Sequence, residues 1–466
     1  MSLWRIAWKN MRQRGVASTL TALSMALGVA AMIGVIVIHS VAVRQFSSDA
    51  QGYHLIVGGK GGDTQLVLST VFHLGQARYT IPYSFYREFT DGRHASLVQT
   101  AVPYCLGDSF DTSRGEEDSG GDLFRVVATT PDLFDTLSYG ADSEGNPLSY
   151  GFREGRNFKA DRPFEAVLGS VVAAKSGVRV GDTINPTHGI GGTGDRHDDF
   201  KVVGVLEPTG TANDRAVFVN IEGFYLLDGH ALSPESDGAK STEPANRGPV
   251  GQPQIADPRG VLPPPVLYDN EGNEIQPLPE AQREVSSILV LCNSVIGPQV
   301  LATTINKDPD RSFQAVAPAR IVEGLMQNTV KPIQVVLLVL TVLIVIVASI
   351  SILVSIYNSM SERSHDIAVM RALGASRTAV MLVVLGESVL LSLAGGVAGI
   401  ALGHALVAAA APYVEDQTGI RLAFWEFDPW ELAVIPSLVV LAALAGLLPA
   451  ISAYRTDVAK SLSGAR

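Results

Sequence analysis

The chain has 466 residues, 47% hydrophobic and 17% charged, with a mean hydropathy of +0.23 and a formal net charge of −11. So apolar a composition excludes an ordinary soluble protein of this size, and the charged fraction excludes a chain that is all membrane. Membrane spans joined to a sizeable polar domain are expected, and the acidity argues against a nucleic-acid partner.

Residues 1–15 read as a short amphipathic helix on the cytoplasmic side. Leu3, Ile6, Ala7 and Met11 share one face, Trp4 and Trp8 suit the headgroup zone, and Arg5, Lys9, Arg12 and Arg14 suit anionic lipid. An apolar run follows between Arg14 and Arg44, interrupted only by His39. It predicts a first transmembrane helix over 16–43. At about 28 residues the run exceeds the 7–15 of a secretory signal core, so it reads as an uncleaved anchor.

The segment 44–331 carries 24 basic and 37 acidic residues, so the negative charge of the chain resides there. It reads as a large mixed α/β domain. HLIVGGKGG, LFRVVATT, FEAVLGS, FKVVGVLEP, RAVFVNI and SSILVLCN are strand candidates with glycine- or proline-marked ends. IPYSFYREFTD and SVVAAKSG read as helices, and 301–327 as a further helix. The uncharged-looking YHLIVGGKGGDTQLVLSTVFHLGQ reads as core strand and turn, with a membrane-proximal substrate surface as the alternative. Residues 229–283 hold ten of the 25 prolines and six glycines, which predicts a long irregular insert. Residues 188–199, HGIGGTGDRHDD, bring His188, His197, Asp195, Asp198 and Asp199 together, and a polar hairpin turn is favoured over a metal site. Cys105 and Cys292 both lie in strand-like stretches, leaving open a disulfide or two buried thiols.

Three more apolar runs predict transmembrane helices over 332–358, 378–411 and 432–454. The loop 412–431 holds five acids and one base, whereas Arg363, Arg371, Arg377, Arg455, Lys460 and Arg466 lie beside the other ends. Excess positive charge marks the cytoplasmic side, so both termini and 359–377 face the cytoplasm and 44–331 lies outside. Gly395, Gly399 and Gly403 recur at a spacing of four, which lets helices approach closely, either between two subunits or within one. Pro436 and Pro449 predict kinks or ends in the fourth span. Glu387 is an intramembrane carboxylate, costing about 2.5–3.5 kcal/mol if ionised at mid-bilayer, so it calls for a partner or a coupling role.

The short charged helix in 359–377, SMSERSHDIAVMRALGASR, carries Ile367, Met370 and Leu373 at helical spacing, and Gly374 is a natural stop. The chain shows no GxxxxGK[ST], HExxH or GxSxG pattern. It is therefore not expected to be an enzyme or to hold a cofactor or metal.

These elements resemble the FtsX/MacB/LolE-type ABC transporter permeases across nearly the whole chain apart from the insert. ERSHDIAVMRALGA looks like the family's cytoplasmic signature between its second and third spans, with Ser364 and His365 where many members carry bases and Asp366 where Glu is usual. WRIAWKNMRQRGVASTLTALSMALGVA, GESVLLSLAGGVAGIALG and PAISAYRTDVAKSL resemble its N-terminus, third span and C-terminus, with Val458 in place of a proline. AVLGSVVAAKSGVRVGDTI and FKVVGVLEPTGTANDRAVFVNIEGF resemble its periplasmic strands. The resemblance implies an α+β inner-membrane protein with four transmembrane helices and a large mixed α/β extracytoplasmic domain between the first two. It implies that 361–375 is a coupling helix docking on a separate ATPase subunit. Ile367, Met370 and Leu373 would supply apolar contact; Glu362, Arg363, Asp366 and Arg371 would supply polar contact and register. The working unit would hold two ATPases, which bind the ATP, and a second permease, either a copy or a paralogue. Movement would pass to the outer domain, acting on a lipoprotein, lipid or exported peptide, with or without a periplasmic adaptor. The alternative is a regulator of an extracytoplasmic enzyme that transports nothing.

Overall fold

The computed structural model describes residues 9, 12, 15–49, 52–76, 78–112, 122–142, 144–189, 199–230, 266–309, 312–362, 364–418 and 431–455. The chain divides into two compact units. A sheet unit takes Gln45–Leu325 with Asp416–Ile420, and a helical unit takes Met1–Arg44, Met326–Glu415 and Arg421–Arg466.

Helix α1 (Gly15–Asp49) precedes the sheet unit. That unit is built on eleven strands among the described residues: β1 (Leu55–Gly59), β2 (Val98–Asp111), β3 (Leu123–Thr129), β4 (Phe152–Gly155), β5 (Glu165–Leu168), β6 (Thr183–Ile184), β7 (Thr187–His188), β8 (Phe200–Leu206), β9 (Ala216–Asn220), β10 (Ser287–Cys292) and β11 (Phe313–Val316). The main order is β11-β1-β10-β2-β3-β9-β5-β8-β4, with β7 on β2 and β6 on β8. The pairs β3–β9 and β5–β8 are parallel and the others antiparallel. Strands β1, β5 and β9 are buried along their whole length, which explains why they read as continuous apolar runs rather than as alternation: both faces are covered. The first and last strands, β1 and β11, are neighbours, with Val57 opposite Ala315.

Around the sheet lie α2 (Asp63–Val71), α3 (Tyr83–Thr90), α4 (Ser170–Ser176), α5 (Ile221–Leu226), α6 (Gly297–Asn306) and α7 (Pro318–Leu325). Helix α3 turns Tyr83, Phe85, Tyr86 and Phe89 into the core with Val126, Phe200, Val290 and Leu301. The strands and the two short helices expected from the sequence are found. The stretch 301–327 carries the expected helix as α7, among other elements. It closes α6, forms β11 and then opens α7, because Asn306 holds both the N–H and the carbonyl of Ala315 at 2.8 and 2.9 Å and fixes a strand there. The stretch from Tyr53 contributes a buried strand and also helix α2.

The insert expected over 229–283 is described only at its two ends. Residues 231–265 lie outside the described residues, but Leu267–Tyr268 and Glu274–Ile275 form a hairpin. Its turn is held by the Asp269 carboxylate, which accepts the Glu271 and Asn273 N–H groups at 2.9 and 2.7 Å. Arg283 then ties the chain back to α5: it donates to Glu222 at 2.8 Å and lies between the Tyr83 and Tyr225 rings, 5.3 Å from each.

The alternatives left open for Cys105 and Cys292 are decided by register. Cys292 stands opposite Val98, and Cys105 lies seven residues further along that strand, near its middle, roughly 23 Å away at about 3.3 Å per residue. A disulfide needs Cα atoms within about 7 Å, so both thiols are free, and both are buried.

The helical unit contains α8 (Lys331–Glu362), α9 (Ser364–Ala372), α10 (Arg377–Thr418) and α11 (Glu431–Arg455), with a π-helical turn at Met326–Val330 just before α8. Four described helices are long and apolar enough to cross a membrane, in Ser18–Val41, Pro318–Asn358, Arg377–Val414 and Glu431–Ser452. Helix α1 meets α8 where Gly28 faces Ile344 and Val345. Helix α8 packs on α11, and α11 packs on α10 where Gly446 faces Ser388 and the Ser392 hydroxyl donates to the Leu438 carbonyl at 3.1 Å. The Gly395, Gly399 and Gly403 stripe closes the ring against α1 of the same chain. A Cβ on Gly399 would lie 2.6 Å from the Val29 Cβ and 2.7 Å from the Ala26 carbonyl oxygen. The stripe is thus an intramolecular seam, one of the two arrangements its spacing allows.

Candidate functional site

Helix α9 is a nine-residue helix set between two long apolar ones, and its exit is built to a fixed geometry. Gly374 takes φ +102, a conformation that L side chains rarely adopt. The Gly374 N–H donates to the Arg371 carbonyl at 3.1 Å and the Ala375 N–H to the Met370 carbonyl at 3.0 Å. These two bonds form a Schellman motif, which satisfies the last carbonyls of α9. Ser376 then caps α10 directly: its hydroxyl accepts the Ala379 N–H at 3.1 Å and pairs with the Thr378 hydroxyl at 2.9 Å. Leu-Gly-Ala-Ser is therefore a corner in which one helix is stopped and the next started within four residues. At its far side the Arg377 guanidinium lies over the Tyr454 ring at 5.8 Å, tying the start of α10 to the end of α11.

The predicted docking residues do not share one exposed face. Ile367 and Ala368 are buried, Met370 and Arg371 are half-buried, and Val369 and Leu373 are exposed, Leu373 at 85%. Ile367 is thus a packing residue, and the outward apolar groups are Val369 and Leu373. The difference arises because the exit of the helix is fixed by the Gly374 stop and the Ser376 cap, which set its rotation independently of its own apolar spacing. Residue 363 and the side chains of Glu362 and Asp366 lie outside the described residues.

Glu387 is buried at 6% exposure beside the fully buried Ser388. A polar pair that sequence reasoning missed links α10 to α11: His404 Nε2 lies 2.9 Å from Glu431 Oε2, with Glu431 buried. The partners are distant in sequence and Glu431 reads as a loop acid, so no local signal marks the pair. Of the His/Asp stretch at 188–199, residues 190–198 lie outside the described residues, while His188 joins residues from elsewhere in the chain.

Comparison with known proteins agrees with this arrangement. The FtsX-like permease C-terminal family model matches residues 338–458, covering most of α8 and all of α9 to α11. The MacB-like periplasmic core domain model matches residues 18–242. An uncharacterized ABC transporter permease of Methanocaldococcus jannaschii is 29% identical over 147 residues, which is 30% of this chain and 36% of that protein, so only about a third of the relative's length is spanned. With a corner helix between long apolar helices in the one matched segment and a mixed sheet in the other, the chain belongs to the FtsX/MacB-type ABC transporter permeases.

Proposed function

We propose that this chain is the permease subunit of an ABC system in which a separate ATPase docks on α9 and its movement is passed to the sheet unit outside the membrane. In this reading α1, α8, α10 and α11 cross the membrane. Both termini and α9 are cytoplasmic, and the acidic sheet unit is extracytoplasmic, acting on a lipoprotein, lipid or exported peptide. The chain itself is not an enzyme: the ATP is bound and hydrolysed by two copies of the partner, and a second permease completes the assembly.

The observation that carries the reading is the α9 corner. A helix held by a Schellman stop and an immediate serine cap moves as one body with α10. Helix α10 is in turn locked to α1 along the glycine seam. Helices α1 and α8 are the ones whose chain continues into the sheet unit, whose first and last strands pair. A push on α9 thus has a connected route through packed elements. Val369 and Leu373 offer the apolar contact for a partner groove.

The test is co-purification with candidate ATPases and measurement of their hydrolysis. Leu373→Glu is expected to reduce recruitment by roughly tenfold or more, since a central apolar contact is replaced by a charge. An ATPase that binds wild type and is bound and stimulated equally by Leu373→Glu sinks the docking assignment.

A further inference from the structure

Asp108 on β2, His188 on β7 and His230 just after α5 converge in the sheet unit although they are far apart in sequence. Asp108 and His188 are cross-strand partners. The Asp108 side chain has no solvent exposure, whereas His188 is 53% exposed and His230 only 8%. His188 Nδ1 lies 3.6 Å from Asp108 Oδ1 and His230 Nε2 lies 3.2 Å from Asp108 Oδ2. One donor atom from each residue falls within 4.8 Å of the other two. In a tetrahedral site with metal–ligand bonds of about 2.0–2.1 Å, neighbouring donors sit about 3.3 Å apart. Each imidazole already stands near that distance from its own oxygen of the Asp108 carboxylate, and every separation in the three-donor set is within 4.8 Å. The set closes by a small turn of His188, the most exposed of the three.

The surroundings set the two imidazoles rather than leaving them loose. Ser109, next to Asp108, donates to the Gly189 carbonyl at 2.7 Å and so holds the strand end that carries His188. Gly229 takes φ +87 and returns the chain toward the sheet, and the His230 ring lies against Phe224 at 4.0 Å between centroids. The two histidine rings are 5.1 Å apart and tilted by 57°. The Arg125 guanidinium also feels the Asp108 charge, so the site has a counter-charge when empty.

We propose that Asp108, His188 and His230 bind one divalent zinc-class ion, with solvent in the fourth position. One carboxylate and two imidazoles are a donor set of intermediate hardness, suited to zinc and unlike the all-oxygen sites of calcium or magnesium. The ion clips the sheet edge to the point where the chain leaves for residues 231–265, closing three distant segments at one atom. Three protein donors with one open position is the layout of an exchangeable site rather than a closed structural one. The proposal does not depend on the docking of an ATPase.

The experiment uses the full chain in detergent micelles, stripped with a chelator and titrated with Zn²⁺ by calorimetry, with metal content measured after gel filtration. Wild type is expected to bind one zinc per chain, and cobalt is expected to give the absorption of a tetrahedral site. His188→Ala and His230→Ala are each expected to weaken binding by roughly a hundredfold or more, beyond the ten- to hundredfold typical of lost outer partners. His73→Asn, a histidine outside the cluster, is expected to leave binding unchanged. Far-UV circular dichroism of the stripped variants checks their fold, and the half-exposed His188 carries the test if His230→Ala is misfolded. Absence of stoichiometric zinc in wild type, or wild-type affinity in folded His188→Ala, overturns the proposal.

Discussion

His73 is a half-buried residue in the left-handed region, at φ 54, with Nε2 3.1 Å from Asn213 Oδ1. Burial pushes its pKa from 6.5 down to about 4; the Arg125 charge adds to the fall and the Asn213 contact opposes it. The unfolded chain therefore takes up a proton near pH 6.5 that the native state refuses until about pH 4. Stability from this group is complete above about pH 6.5 and is lost as the pH falls toward 4, by about 3 kcal/mol in all. His73→Asn keeps a residue tolerant of positive φ and removes the titration. Its melting temperature is expected to fall less than that of wild type between pH 7 and pH 4.5, and parallel curves for the two proteins count against the account. At Gly374 the penalty is of another kind. Among the described residues no atom outside its immediate chain neighbours lies within 4 Å of where a Cβ would stand, so Gly374→Ala strains only the backbone, by about 1–2 kcal/mol. That strain is relieved by re-aiming α9. The measurement is ATPase stimulation against ATPase binding: the variant is expected to lose stimulation while binding persists. Ser376→Ala, which removes the α10 cap, is expected to lower thermal stability by about 1 kcal/mol.

Among the elements, those with strong local signals were legible in the sequence. Short apolar runs containing valine mark β5, β8 and β9, with Gly169 just after the first and Pro208 soon after the second, and Gly374 marks the end of α9. What was not legible depended on partners. The four-residue spacing of Gly395, Gly399 and Gly403 announces a close approach but not the helix that makes it. The fine rotation of α9 is tied to the corner at Gly374–Ser376, so its apolar spacing misplaced Ile367. Strand β11 hides between two helices because four residues carry too little periodicity, and its pairing with the distant β1, together with the side-chain bonds from Asn306, defines it. The seam makes its own prediction. Gly399→Ala inserts a methyl into contacts of 2.6–2.7 Å, one of them with the Ala26 backbone. It is expected to cost about 1–3 kcal/mol in a detergent unfolding assay. Val29→Ala should not fully rescue it, because the carbonyl stays in place. A neutral Gly399→Ala means that the two helices separate freely.

For the whole molecule, the two units differ in how they are held. The helical unit uses small residues and a few polar links such as His404–Glu431. The sheet unit relies on a continuous ladder and a large apolar core, with the buried Arg283 and its partner Glu222 anchoring the end of the insert. None of this relies on covalent cross-links. Burial pushes the Cys105 thiol up to about 12 and the Cys292 thiol in the same direction, so neither is a ready nucleophile in the native state. Without any reductant, thiol reagent is expected to titrate two groups per chain after denaturation and far less before it; a denatured chain with none means that the pair is bonded.

The separation of the cysteines along one strand has a consequence for how the protein is made. A domain without a disulfide needs no oxidant to reach its native state, and the one bridge its unfolded chain could form, Cys105–Cys292, is incompatible with the sheet. Reducing surroundings therefore favour its folding yield, and oxidising ones penalise a chain that lingers unfolded.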